Sequence, residues 1–182
     1  YLEGFMSRPK LPLTLVIGGA KVDTKLQILN KFIDKADNII IGGGMAFTFL
    51  KAKGRKVGGS IVDDSMIVPA KEIINKALVK GVKIILPIDV ICASSLNDIS
   101  VKNPLLVDHI PDDMMGLDIG PATLEKYNHI LSESNTVLWN GPMGVFEKKG
   151  FENGTKGMAV YLAECVSNGT KVIVGGGDTA AA

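Results

Sequence analysis

The sequence predicts an α/β fold: a doubly wound, mainly parallel sheet with helices on both faces, a Rossmann-like arrangement in three layers. Three observations predict it. Short β-branched runs each end in a glycine cluster: LTLVI-GGAK, NIII-GGGMA, TVLW-NGPMG and KVIV-GGGDT. Each run is apolar almost throughout, as suits parallel strands covered on both faces. Between the runs lie segments with a 3.6-residue apolar period, and strands alternating with such helices read as βαβ units whose ligands sit beyond the carboxyl ends of the strands.

LTLVI is the first strand, and Leu26, Leu29, Ile33 and Ala36 form the apolar stripe of the helix behind it. NIII is the second strand. A later helix carries Ile73, Ile74, Ala77 and Leu78 on one stripe, opened by Pro69 and closed by Gly81. KIILPIDVICA is another strand-sized apolar stretch. Pro121 suits a first helical position, and behind it comes the stripe Leu124, Tyr127, Ile130 and Leu131. TVLW is a strand; the last long helix carries Met158, Tyr161, Leu162, Cys165 and Val166 and ends at Asn168-Gly169, ahead of KVIV. Residues 53–65 and 93–116 fit this alternation poorly. The first, with a basic cluster and paired aspartates, reads as a solvated connection; the second suggests a short antiparallel hairpin around LLVDHI.

Composition narrows the function. The 182 residues suit one α/β domain with a full core. Twenty basic against nineteen acidic residues leave a net charge of +1, which argues against a nucleic-acid footprint or a polybasic membrane arm. The longest apolar stretches are strand-sized, so no membrane span is expected. No charged-then-apolar leader is visible, and Cys92 and Cys165 sit where buried free thiols sit in a reducing compartment, so a cytoplasmic protein without disulfides is expected. His109 and His129 lack cysteine company, which disfavours zinc. The 21 glycines are the compositional excess.

Glycine-rich turns at four strand ends are places where backbone N–H groups can converge on an anion without a Cβ in the way, although each turn alone also reads as a plain tight turn. No G-x-x-x-x-G-K-[ST] loop is present, and no G-x-G-x-x-G has an acidic residue at the end of the next strand, so P-loop and dinucleotide readings lose their usual support. If a helix begins near Val22, Lys21 stands at its mouth and Lys25 one turn along, two ammonium groups within reach of one polyphosphate; surface lysines are the alternative. Asp178, after Gly175-Gly176-Gly177 and before Thr179, reads either as a helix N-cap or as a carboxylate for Mg²⁺, a cation that prefers a carboxylate or two plus phosphate oxygens. In WNGPMGVFE, Asn140 offers an amide at a strand end, and Glu147 is either exposed or an acceptor for ribose hydroxyls. Met114, Met115, Leu117 and Ile119 around Gly116 form an apolar patch, core or adenine slot. With no serine-histidine-acid or cysteine-histidine pairing, the implied chemistry is positioning and charge neutralisation, as in phosphoryl transfer.

The segments GGAKVDTK, IIIGGGMAFTFL, GLDIGP, VLWNGPMGVFE and VIVGGGDT, in this order and spacing, resemble the phosphoglycerate kinase family over nearly the whole chain. That family has two lobes, the amino-terminal one binding phosphoglycerate and the carboxyl-terminal one MgADP or MgATP. The resemblance is to the second lobe, with residues 1–10 as the end of the connecting segment and residues 11–182 as a nucleotide-binding domain. It implies that Lys21 contacts the transferring phosphoryl group, Lys25 the nucleotide phosphates and Asn140 their vicinity. It further implies Glu147 at the ribose, Gly116 and Leu117 against adenine, and the Gly42-Gly43-Gly44 turn as the nucleotide floor. Gly176, Gly177, Asp178 and Thr179 would form the phosphate-binding helix start, Gly177 beside the reacting group and Asp178 holding Mg²⁺.

The implied activity is reversible phosphoryl transfer between 1,3-bisphosphoglycerate and MgADP, by a monomer that binds neither nucleic acid nor membrane. The basic residues of the phosphoglycerate-binding lobe and the family's final glycine-rich turn and helix have no counterpart in these residues, so the expectation is a piece of a longer protein that binds nucleotide yet transfers little alone. A nucleotide-binding module without catalysis, a Rossmann-type oxidoreductase and a purely structural fragment are the alternatives. The second predicts NADH binding without Mg²⁺, and the third no nucleotide binding.

Overall fold

β1 (Leu13–Ile17) lies at the centre of the main sheet, the position that its wholly buried run demands. The computed structural model describes residues 8–98, 100 and 103–181, the side chains of Asp178 and Ala181 excepted; most of the expected connecting segment, residues 1–7, lies outside the described residues. β1 pairs in parallel with β2 (Asn38–Ile41) and β7 (Thr136–Asn140). β3 (Lys83–Ile85) and β8 (Lys171–Gly175) extend the sheet in parallel on either side, giving the order β3-β2-β1-β7-β8.

The strands are paired in a register that levels their ends. Ile17 stands opposite both Ile41 and Asn140, and Asn140 opposite Gly175. Four strand ends therefore fall in one row, and the four glycine clusters emerge side by side along the carboxyl edge.

Alternation along the strands loads both faces. Leu13, Leu15 and Ile17 pack with Leu29 and Phe32 of α1 (Leu26–Phe32), with Met45 and Phe49 of α2 (Met45–Ala52), and with Ile73 and Ala77 of α3 (Ile67–Lys80). On the other face Val16, Ile40, Val137 and Trp139 pack with Tyr127 and Leu131 of α4 (Pro121–Ser132) and with Met158 and Leu162 of α5 (Asn153–Ser167). The three-layer expectation is met. The stripes differ in detail: Leu78 and Val166 are 78% and 53% exposed, because α3 and α5 meet the sheet on narrower faces than the full stripes offer.

The chain leaves the main sheet in the middle of KIILPIDVICA, which reads as one stretch in the sequence. β3 ends at Ile85, and beyond Pro87, which has no N–H to give a ladder, β4 (Asp89–Ala93) joins a second sheet. This small antiparallel sheet has the order β5-β4-β6, with β5 (Leu105–Leu106) and β6 (Met115–Ile119). LLVDHI is thus not a local hairpin: its first two residues pair with Val90 and Asp89, and Val107–His109 turn as 3-10 helix. Buried Asp89 joins this sheet to the helical layer, accepting from the amides of Ala122 and Thr123 at 3.0 and 2.8 Å at the start of α4. Among the described residues no helix is long and apolar enough to cross a membrane.

Candidate functional site

The row of strand ends closes upon itself. Gly18 N–H donates to the Asn140 carbonyl at 2.9 Å, Gly19 to Pro142 at 3.0 Å, Gly42 to Ile17 at 2.9 Å and Gly43 to Met143 at 3.1 Å. These amides are occupied, so they do not converge on an anion as the glycine clusters suggest. The glycines serve close approach: a Cβ on Gly18 would overlap the Pro142 carbonyl, one on Gly42 the Met143 thioether, and one on Gly141 the Gly18 carbonyl. Trp139 completes the lock, its indole N–H donating to the Gly141 carbonyl at 2.7 Å.

Gly177 is different, since a Cβ there would meet open space. Gly176, at φ 85°, turns the end of β8 into the short helix α6 (Gly177–Ala181). The Thr179 hydroxyl accepts from Gly141 N–H at 2.6 Å, which seats α6 against the glycine lock. Asp178 stands in the first turn of α6, and its side chain lies outside the described residues.

Around this helix start lies a hollow of about 250 Å³ lined by Gly19, Ala20, Lys21, Thr24, Lys25, Gly141, Pro142, Gly176, Gly177 and Thr179. The helix expected near Val22 begins later: Asp23–Lys25 turn as 3-10 helix and α1 starts at Leu26, with both lysines still on the hollow. Lys21 is exposed, whereas half-buried Lys25 donates from Nζ to Asn140 Oδ1 at 2.5 Å. Asn140 does not line the hollow itself; it orients the lysine that does.

Gly19, Ala20 and Pro142 also line a second hollow of about 220 Å³, so the two hollows adjoin across these residues as the two ends of a groove. Its far end is mostly apolar: Phe47, Ile61, Val90, Met115, Gly116, Leu117, Met143, Val145 and Phe146, with buried Asp118 also in its lining, exposed Glu147 at the rim and Gly43 and Gly44 beneath. Gly42 lines neither end, being packed under Met143. A Cβ on Gly116 would collide with the tip of the Phe47 ring, so glycine lets that ring reach β6. The other expected residues, Lys21, Lys25, Gly43, Gly44, Gly116, Leu117, Glu147, Gly176, Gly177 and Thr179, come together on this one groove.

Several contributors have no sequence signal. Residues 53–65 are more than a solvated connection: Val57 and Ser60 are buried, Ile61 lines the groove, and the Ser60 hydroxyl accepts from Gly116 N–H at 2.9 Å. Arg55 fixes this segment with a two-pronged contact to Asp108, 2.7 Å on each side. Asp118, 3% exposed, accepts from the amides of Ile119 and Gly154, each at 2.9 Å, and burial pushes its carboxyl up to about 7, with Glu152 adding to the rise. GLDIGP contains it, but an aspartate within a strand has no periodicity that would mark it. Burial likewise raises the Cys92 thiol to about 11, so this cysteine is an inert core group.

Fold and groove define a doubly wound α/β protein with a groove at the carboxyl edge of its sheet, basic at one end and mostly apolar at the other. The chain belongs to the phosphoglycerate kinase family, whose family model matches residues 1–182. It is 45% identical over 183 residues to a phosphoglycerate kinase of Thermosipho africanus, covering 100% of this chain and 46% of that protein. Against a phosphoglycerate kinase of Thermosynechococcus vestitus it is 44% identical over 182 residues, again 100% and 46%. The structure of phosphoglycerate kinase from Coxiella burnetii superposes with a TM-score of 0.92 at 38% identity over 99% of this chain and 46% of that one. That from Pyrococcus horikoshii superposes at 0.75 and 25% identity over 96% and 44%. The chain spans a little under half the length of these relatives.

Proposed function

We propose that residues 11–182 are the nucleotide-binding lobe of a phosphoglycerate kinase, with residues 1–10 the end of its inter-lobe connection. The reaction moves a phosphoryl group reversibly between 1,3-bisphosphoglycerate and MgADP, giving 3-phosphoglycerate and MgATP, a step of cytoplasmic glycolysis carried out by a monomer. The observation that carries this reading is the single groove with a lysine-bearing end and an apolar end. A nucleoside diphosphate has the same polarity along its length, anionic phosphates at one end and a flat base at the other.

In this reading the base lies against Gly116, Leu117 and the Phe47 side of the groove, and Glu147 accepts from the ribose hydroxyls. Lys25, held by Asn140, and Lys21 meet the phosphates, and the α6 amides face the group in transfer. As phosphorus passes from the acyl phosphate oxygen to a terminal oxygen of ADP, the carboxylate of 3-phosphoglycerate departs, and Lys21 offsets the charge on the oxygens in motion. Mg²⁺ enters as part of the substrate MgADP. Asp178 is the proposed protein carboxylate for it, in keeping with a cation that retains waters and phosphate oxygens. Among the described residues no group of three or more His, Cys, Asp or Glu could hold a metal on its own.

The test is Asp178→Ala, with MgADP and ADP affinities compared by titration. The reading expects magnesium to stop affecting affinity; equal magnesium dependence in variant and parent contradicts it. A helix-capping role alone would lower stability by about 0.5–2 kcal/mol and leave affinity per folded molecule unchanged. Phosphoryl transfer is then measured in the whole protein carrying this chain, because residues 11–182 alone offer the phosphoglycerate no site in this reading.

A further inference from the structure

We propose that Asp118 is a positioning residue for the ribose end of the groove: its carboxylate anchors the segment 144–154 and thereby sets where Glu147 stands. The proposal rests on the nucleotide reading above. Asp118 lines the apolar hollow that Glu147 also lines, without a hydrogen bond to Glu147, and it sets that residue's place through the chain between them.

The geometry is that of a post with a loop around it. Gly154, in the first turn of α5, donates its N–H to Asp118 Oδ2, and Oδ1 accepts from Ile119 on the strand itself. Gly144, at the other foot of the segment, and Gly154 both lack a Cβ where one would overlap Oδ1. Two neighbouring ties hold the same feet: Val145 N–H to the Leu117 carbonyl at 2.8 Å, and Met143 N–H to the Thr155 hydroxyl at 3.0 Å. Glu147 lies between these feet. Phe151 closes the loop from inside, buried with Leu117 and Ala93.

A stability role alone is a poor account of this carboxylate. Its burial opposes ionisation, and the nearby Glu152 carboxylate does the same, so near neutral pH it is held at a cost that an apolar side chain would avoid. What a carboxylate supplies that a hydrophobe cannot is a pair of fixed acceptors for amides on two different elements.

The experiment takes Asp118→Ala, with Asp118→Asn as the second variant should alanine fail to fold; asparagine keeps the shape but presents a donor to one of the two amides. Two probes are titrated in the presence of Mg²⁺: ADP, and 2′,3′-dideoxy-ADP, which has no ribose hydroxyls. The parent is expected to prefer ADP, and the variants to lose that preference by weakening ADP roughly tenfold while leaving the dideoxy nucleotide nearly unchanged. Equal weakening of both probes, or no change in either, overturns the proposal. Amide hydrogen exchange without nucleotide gives an independent arm, with Val145 and Gly154 expected to exchange at least about tenfold faster in the variants while β1 is unchanged. Unchanged exchange at those amides also overturns the anchor. A folded parent that binds neither nucleotide sinks the nucleotide reading, and the exchange arm still decides the anchor.

Discussion

The two ends of the groove are made in different ways. The basic end is a property of the parallel sheet: register places four strand ends in a row, and glycines let the turns interlock through backbone hydrogen bonds. The apolar end is assembled from parts distant in sequence: residues 53–65, the small antiparallel sheet and the 144–154 segment. At the first end Gly18, Gly42, Gly43 and Gly141 leave no room for a Cβ between adjoining turns, whereas the second also relies on side-chain acceptors such as Ser60 and Asp118 to join distant segments. The backbone interlock of neighbouring turns thus dominates at one end, with Trp139 and Thr179 bracing it, while buried side-chain acceptors join segments distant in sequence at the other.

The sharpest way to break this comparison is at the glycines. Gly141→Ala places a Cβ against the Gly18 carbonyl at a φ of 103°, and a loss of about 2–5 kcal/mol in urea unfolding is expected. Gly177→Ala meets open space; its stability should change by less than about 0.5 kcal/mol, while MgADP affinity falls because the added methyl faces the proposed phosphates. Similar melting for the two variants would show that the interlock is not what holds the basic end.

Asp118 gives the next effect, and its sign comes from linkage. Its carboxyl rises from 3.8 to about 7 on folding, so between those values the folded protein holds more protons than the unfolded chain. The stability this group contributes is complete below the unfolded value and is lost as pH rises through about 7. Urea midpoints of the parent and Asp118→Asn across about pH 4 to 8 should therefore diverge, the parent gaining on the variant as pH falls by on the order of a few kcal/mol. Parallel curves contradict the buried carboxyl.

Asn140→Ala sharpens the basic end. It removes the oxygen that holds the Lys25 ammonium, so MgADP affinity should fall by about tenfold with stability lowered by no more than about 1.5 kcal/mol, as read by titration and melting. The smallest effect belongs to the apolar end. Ser60→Ala leaves the Gly116 amide without its acceptor and should cost about 1 kcal/mol in unfolding with affinity nearly unchanged.

Legibility in the sequence divides along the same line. The strand runs, their glycine ends and the buried stripes Leu29–Ile33 and Tyr127–Leu131 are readable because period and punctuation are local signals. Even there the sequence leaves the role of the glycine amides open between ligand and tight turn: whether an N–H faces a ligand or the next loop depends on register, which no single segment encodes. The exit of the chain at Pro87 into a second sheet is hidden for a similar reason, since β3 and β4 read as one apolar stretch. Phe47, Ser60 and Asp118 give no signal, because each acts on a partner far along the chain: Phe47 and Ser60 on Gly116, Asp118 on Gly154.

The most direct test of the central claim is a calorimetric titration of the chain with ADP, with and without Mg²⁺, and with NADH as the control. Saturable binding at one site that magnesium alters, with no binding of NADH, is the predicted result. A folded chain that takes up no ADP, or that binds NADH indifferently to magnesium, contradicts the account.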